Sequence, residues 1–437
     1  MKRFIPQGFV LLAFLLFPSA ALAADAMIDT GDTAWLMISS ALVMLMTPGL
    51  ALFYGGMSRR KNVLNTIMLS FIVLGLVSVQ WVLWGYSVAF GPDKAHLIGS
   101  FSWLGLHSVG LDPNPDYAAT IPHQLFMVFQ LMFAVITVAL ITGSIVGRMR
   151  FPAFLVFALL WSTLIYDPLC HWVWGVGGWL RNLGALDFAG GTVVHISSGV
   201  SGLVAALVLG RRRGHGTEPM LPHNLPLTVL GAGLLWFGWF GFNAGSSLAA
   251  NGLAVSAFVV TNTAAAAAAF SWVLAEWIHH GKPTVLGAAS GCVAGLVAVT
   301  PASGFVGPLP SIVIGLFAGI LCYLAVAVLK PRLGYDDALD AFGVHGIGGT
   351  WGALATGLFA STAVNSAGFN GLFYGNPGQM GKQLIGVLTA WVFAAVGTFI
   401  ILKVVGLFTP LRASEEEETL GLDVAQHGED AYRGLIL

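Results

Sequence analysis

Eleven apolar stretches of membrane-spanning length divide this chain. They lie near residues 34–54, 64–90, 122–147, 151–169, 190–210, 226–244, 253–278, 284–300, 310–330, 341–361 and 381–406. A helix needs about 20 consecutive apolar residues to cross a bilayer. Only 9% of the 437 residues are charged and 57% are hydrophobic, so a soluble fold of this length would lack polar surface. The pattern predicts an all-α polytopic membrane protein with eleven transmembrane helices and the lipid bilayer as its solvent.

The N-terminal residues have the features of a separate targeting signal. Lys2 and Arg3 precede a short apolar run over residues 9–17, Pro18 ends that run, and Ala21-Leu22-Ala23 has the small-residue pattern of a cleavage site. The run is about half as long as a transmembrane helix requires. We therefore expect residues 1–23 to be a cleaved secretory signal peptide rather than a first span, with the mature N-terminus outside the cytoplasm.

Positive charges between the stretches alternate along the chain. They follow the odd-numbered stretches: Arg59, Arg60 and Lys61; Arg148 and Arg150; Arg211, Arg212 and Arg213; Lys282; Lys330 and Arg332. The intervening connections hold only Lys94, Arg181 and Lys382. Because cytoplasmic loops carry the excess of Lys and Arg, the pattern predicts an external N-terminus and a cytoplasmic C-terminus in the inner (cytoplasmic) membrane. An odd number of spans agrees with this orientation.

This organisation predicts an eleven-helix domain over residues 24–408 and a polar cytoplasmic tail over residues 409–437. The tail contains four consecutive glutamates, Glu415 to Glu418. Composition alone is typical of a solvated, disordered end.

Two histidines stand out because ionisable side chains inside spans are costly and are functional candidates. His195 lies in the fifth stretch and His345 in the tenth, 150 residues later. Five spans followed by five more give the second half inverted topology. We therefore predict an inverted five-plus-five repeat, over about 34–210 and 226–361, with the eleventh helix added. Transporters commonly place their site near the midplane, at the interface of such repeats.

One membrane histidine alone is best explained by a satisfied hydrogen bond in the core. Two at equivalent positions of a repeat favour a functional pair, which could share one proton while the outer ring nitrogens face a pore. Two adjacent imidazolium ions would repel each other, so at most one should be charged. Asp187 and Asp340 precede the two histidines, and we expect them to cap the helix starts.

Aromatic residues near the predicted outer face have two interpretations. These residues are Phe129 and Phe133, one helical turn apart, Trp174, Trp239 and Phe242, with Ser246 beside them. They could form an interfacial aromatic belt. They could equally bind a small cation through ring faces and one hydroxyl. Spacing alone leaves both interpretations open.

Other classes of function are disfavoured. The net charge of −1 argues against nucleic acid as a partner. Three cysteines in apolar surroundings, Cys170, Cys292 and Cys322, give neither a disulfide framework nor a zinc spacing. No G-x-S-x-G elbow or metal constellation indicates a hydrolase. We expect no enzyme activity, cofactor or metal. The 56 glycines indicate close helix packing.

Seven ordered motifs resemble the ammonium transporter family (Amt/Mep/Rh), and its bacterial Amt branch in particular. They are PGLALFYGG at 48–56, GALDFAGGTVVH at 184–195, PHNLP at 222–226, GWFGFNAGS at 238–246, GLVAVTP at 295–301, FGVHG at 342–346 and GLDVAQHGEDAY at 421–432. The resemblance covers about 32–433.

The resemblance implies a homotrimer with one pore per subunit. It implies roles for Trp174, Phe133 and Ser246 in ammonium recruitment, Phe133 and Phe242 as a gate, and His195, His345 and Trp239 in the pore. Asp187 would order the recruitment region, and Leu131 and Met132 leave the width of the gate open. The tail would couple subunits and dock a PII-type signalling protein. The implied function is ammonium/ammonia transport, with an ammonium sensor or an Rh-type neutral gas channel as alternatives. Because ammonium can release a proton on desolvation, we further expect it to cross as ammonia past the gate while the histidines relay the proton, which would make transport electrogenic.

Overall fold

A computed structural model describes residues 28–432, so the predicted signal peptide lies outside the described residues. Helices occupy all eleven predicted stretches. Their bounds are α1 Thr30–Met57, α2 Arg60–Phe90, α3 His123–Ile145, α4 151–174, α5 Gly191–Leu209, α6 Leu225–Ala244, α7 Gly252–His280, α8 Val285–Val299, α9 Pro308–Leu333, α10 342–359 and α11 Gly378–Phe408. Short helical segments lie at Phe101–Leu106, Trp179–Leu183, Leu372–Tyr374, Glu415–Leu420 and Asp423–His427.

Nine helical stretches of the described residues are long and apolar enough to cross a membrane. The other two predicted stretches correspond to α8 and α10. Helix α8 has only 15 residues. Helix α10 begins with a π-helical turn, Phe342–Gly346, and continues as Ile347–Phe359. The chain is therefore a multi-pass helical membrane protein. The count of eleven spans and the inverted repeat stay predictions.

Burial separates central from peripheral helices. In α3 and α5 the most apolar 18-residue windows are 78% buried, whereas in α11 the corresponding window is 33% buried. A helix in lipid can expose apolar side chains, because the hydrocarbon tails of the lipids are as apolar as those side chains. We place α3 and α5 at the centre of the bundle and α11 at its edge.

Two small hairpins lie between α2 and α3. β1 Asp93–Lys94 pairs antiparallel with β2 Ile98–Gly99, and β3 Pro113–Asn114 pairs antiparallel with β4 Ala118–Pro122. Both hairpins contact the turn after α4: the Trp179 amide donates to the His96 carbonyl, and the Val176 amide donates to the Tyr117 hydroxyl. We call this end of the bundle the outer face, following the predicted orientation.

The described part of the tail packs against the opposite face. Asp423 accepts hydrogen bonds from the backbone amides of Leu64 and Asn65 at the start of α2, at 3.0 and 2.8 Å. Lys61 donates to two carbonyls of the short helix Glu415–Leu420, at 2.7 Å each. The Ala413 amide donates to the Arg148 carbonyl. These contacts favour the ordered tail that the family resemblance implies over the solvated end expected from composition.

Candidate functional site

The two histidines face each other in the centre of the bundle. Their Nδ1 atoms are 3.3 Å apart and their ring centroids 5.3 Å apart. His195 is 1% exposed and His345 is 3% exposed. A hydrogen bond between two Nδ1 atoms needs one proton, so one ring donates and the other accepts. The Nε2 atoms point away from the shared bond, and Nε2 of His195 is buried without a hydrogen-bond partner.

Two glycines allow this close approach. Each lies four residues after a histidine, at Gly199 in α5 and Gly349 in α10. A Cβ at Gly199 would lie 2.6 Å from the Gly346 Cα, and a Cβ at Gly349 would lie 2.9 Å from the His195 Cβ. Glycine lets two helix backbones approach more closely than any other residue. The absence of a Cβ at these two glycines therefore lets α5 and α10 pack closely enough to bring the histidines together.

Buried carboxylates cap the starts of both histidine helices. Asp187 accepts hydrogen bonds from the backbone amides of Gly190, Gly191 and Thr192 at 2.6–2.8 Å, and from the Thr192 hydroxyl. In the second half, the capping carboxylate is Asp337, which accepts from the Phe342 amide at 2.8 Å. Asp340, which we expected in this role, instead pairs with Lys330 at 2.6 Å and has a positive φ of 63°.

An outer cavity of about 220 Å³ contains the predicted recruitment residues. Phe133, Trp174 and Ser246 all line it, and the Phe133 and Trp174 rings meet at right angles with centroids 5.9 Å apart. Ser246 donates its hydroxyl proton to the Phe242 carbonyl at 2.8 Å. Its oxygen lone pairs therefore remain available to accept a hydrogen bond.

A pair of stacked rings lies below this cavity. Phe133 and Phe242 have centroids 4.2 Å apart and planes inclined by 26°. Phe133 lines the outer cavity, and Phe242 lines the next one inward. The stack therefore separates the outer cavity from the histidines.

The second cavity surrounds the histidine pair and measures only about 10 Å³. Such a space is close to the smallest that holds one water molecule. His195, His345 and Trp239 line it among aliphatic side chains. The Trp239 indole donates to the Thr300 hydroxyl at 2.8 Å, and its ring stacks on His195 with centroids 5.4 Å apart.

A third cavity of about 150 Å³ continues toward the tail side. His345 lines both this cavity and the histidine cavity, and Tyr54, Glu276 and Asp340 also line it. The three cavities thus lie in series, with the phenylalanine pair between the first two and His345 lining the second and the third, and we call this series the path.

Some predicted residues lie beside the path rather than on it. Phe129 is fully buried and packs edge-on against Phe133, with centroids 5.0 Å apart. Leu131 and Met132 line none of the three cavities. Conversely, Gln130 and Asp116 line the outer cavity, and the Gln130 Oε1 atom is buried without a partner. No spacing rule in the sequence pointed to these two.

Residues 34–432 match the model of the Ammonium Transporter Family. This chain belongs to that family. An ammonium transporter of Bacillus subtilis is 59% identical over 403 residues, which is 92% of this chain and 98% of the relative. The resemblance to the bacterial branch is confirmed.

Solved structures of family members have the same fold. The crystal structure of Candida albicans Mep2 superimposes with a TM-score of 0.85 at 37% identity, covering 93% of this chain and 91% of that one. A protein described as a sensor Amt protein superimposes with a TM-score of 0.84 at 30% identity, covering 91% and 98%.

Proposed function

We propose that this protein transports ammonium/ammonia across the inner membrane through the path of three cavities. The observation that carries the proposal is the succession of an aromatic-lined outer cavity, a stacked phenyl pair and a buried histidine pair. Family membership supports the same substrate.

Recruitment takes place in the outer cavity. The faces of Phe133 and Trp174 attract a small cation, and the Ser246 oxygen accepts one of its hydrogen bonds. The geometry there favours the cation-binding interpretation for these residues over the aromatic belt.

Selectivity follows from desolvation. Moving a bare ion into a medium of low dielectric constant costs of order 20 kcal/mol in the idealised limit, and phenyl rings with neutral imidazoles compensate little of it. Potassium cannot avoid this cost. Ammonium can, because it can release a proton: its pKa resembles that of a lysine side chain, about 10, and desolvation lowers such a value. The cation therefore loses a proton past the Phe133–Phe242 gate and crosses as ammonia.

The histidine pair relays the released proton, which makes transport electrogenic. The bond between the Nδ1 atoms already holds one proton, so a proton arriving at one ring can be matched by one leaving the other. Ammonia itself follows the apolar wall beside Trp239.

Family membership supports a proposal for the assembly and its control. We propose a homotrimer with one pore per subunit, an external N-terminus, and a cytoplasmic tail that docks a PII-type signalling protein. The contacts of Asp423, Lys61 and Ala413 support the tail's part, since they connect it to α2 and to the end of α3.

Currents in proteoliposomes test the proposal. Wild-type protein should carry ammonium-dependent charge and no potassium current. His195→Ala and His345→Ala should reduce or alter ammonium selectivity in folded protein, while His107→Ala, which changes an exposed histidine of the α2–α3 connection, should behave as wild type.

Each alternative predicts a different result. A neutral gas channel of the Rh type would conduct ammonia without charge movement, and a sensor would show binding without flux. Unchanged flux and selectivity in both histidine variants would refute the relay.

A further inference from the structure

A partly buried polar contact lies beneath the turn that follows Trp174. Nε2 of His171, in α4, is 2.9 Å from the Asp93 carboxylate, and its Nδ1 is 3.0 Å from the Ala89 carbonyl. His171 is fully buried. Both ring nitrogens of His171 therefore lie within hydrogen-bond distance of an oxygen atom. Asp93 and His171 thus form a close polar contact between the α2–α3 connection and α4.

The charge state of Asp93 fits this pairing. Burial acts to raise the pKa of its carboxyl, but the hydrogen bonds from His171 and the His96 amide outweigh burial and hold the pKa below its ordinary value. Among basic side chains of the described residues, only His96 and His171 lie within 4.0 Å of this carboxylate.

The turn over residues 175–178 is wrapped closely around the pair. Gly177 has a φ of 94°, and a Cβ added there would lie 2.5 Å from the Asp93 Cβ. A Cβ at Gly175 would lie 2.9 Å from the His171 Cγ. His96 Nδ1 contacts the Gly177 carbonyl at 2.7 Å. The position of the turn therefore depends on the positions of the Asp93 and His171 side chains.

The same turn fixes Trp174, the residue immediately before it. Arg181, just after the turn, donates to the Trp174 carbonyl at 2.7 Å. The indole nitrogen donates to the Asp187 carbonyl at 2.8 Å. The ring is therefore anchored on the pore side by Asp187, and its backbone is anchored on the outer side by the turn.

We propose that Asp93 and His171 are positioning residues that hold Trp174 in place at the outer cavity and so set the apparent affinity for the cation. The inference rests on the recruitment role given to Trp174 above. Neither residue lines the outer cavity, so they act through Trp174 rather than by touching the substrate.

Uptake kinetics of purified, reconstituted protein test this inference. Asp93→Asn should raise KM for ammonium about tenfold, equivalent to about 1.4 kcal/mol, with Vmax per folded transporter unchanged. Gly177→Ala keeps both side chains but displaces the turn from Asp93, and it should also raise KM. Asp112→Asn is the matched control, because it removes an exposed carboxylate of the same connection without touching the pair.

A double-mutant cycle separates positioning from general stabilisation. If the pair acts through Trp174, Asp93→Asn adds nothing to the KM of Trp174→Ala. Additive effects would overturn the inference, as would a loss of folded protein with KM unchanged in Asp93→Asn and Gly177→Ala. If Trp174→Ala itself leaves KM unchanged, the recruitment role of Trp174 is refuted, and the positioning role of Asp93 and His171 is refuted as well. A raised KM in Trp174→Ala but not in Asp93→Asn overturns the inference alone.

Discussion

Replacing Gly199 with alanine tests the histidine pair without altering a polar group. The new Cβ would lie 2.6 Å from the Gly346 Cα, which is backbone of α10 and cannot rotate away. Carbon atoms in contact settle roughly 3.5 Å apart or more, so α5 and α10 must separate by about 1 Å. The Nδ1 distance then grows from 3.3 Å to about 4.3 Å, beyond hydrogen-bond range.

Gly349→Ala makes the same change from the other helix with a smaller displacement. Its Cβ would lie 2.9 Å from the His195 Cβ, so a shift of about 0.6 Å restores contact. Overpacking of this kind typically costs about 1–3 kcal/mol of stability, which a folded membrane protein can tolerate. The two variants should therefore form a series, with Gly199→Ala the more severe.

Ammonium-dependent currents in proteoliposomes measure the effect. A positioned proton-transfer group typically contributes roughly 10²- to 10⁴-fold to a rate, so Gly199→Ala should lower the current at least about tenfold, and Gly349→Ala less. Gly233→Ala is the control, because nothing lies within 4 Å of a Cβ at that glycine of α6. Wild-type current from folded Gly199→Ala protein would show that the shared proton is not needed.

Two further variants test other parts of the path and its support. Phe242→Ala removes one ring of the 4.2 Å stack and should admit potassium current in folded protein; unchanged selectivity would exclude a gating role. Asp336→Asn breaks a buried contact with Arg148 and Arg212 and should cost about 3 kcal/mol, seen as a lower melting temperature in detergent. Burial would raise the pKa of Asp336, but Arg212 and Arg148 hold it below the ordinary value. The stabilisation by the ionised carboxylate is therefore present above the unfolded pKa of about 3.9 and is lost as the pH falls below it, so the difference from wild type should shrink on acidification below about pH 4.

The sequence predicted the helices and the histidine pair because both depend on simple regularities. Apolar length determines where a chain can cross a bilayer, and all eleven predicted stretches are helical. The spacing of 150 residues between His195 and His345 indicated that they are equivalent. The same spacing relates Asp187 to Asp337, and applying it would have identified the second capping residue. Asp340 lies closer to the histidine in sequence, but its backbone turns it toward Lys330.

Other buried polar groups have partners that no local pattern reveals. Asp167, in the predicted 151–169 stretch, accepts a hydrogen bond from Gln80 of α2 at 2.7 Å. His171 pairs with Asp93, 78 residues earlier. Such contacts depend on how distant helices pack, and periodicity describes only one helix at a time.

The distribution of buried charges is consistent with the proposed exclusion of ions from the path. Some buried carboxylates have opposite charges beside them, as Asp336 has Arg148 and Arg212, and others, such as Asp187, are held by backbone amides. Among the described residues, no acidic side chain lines the histidine cavity. A cation that passed the phenyl rings would meet neutral imidazoles and hydrocarbon, with nothing to replace its water. A substrate that releases its proton before this point avoids that cost, whereas potassium cannot.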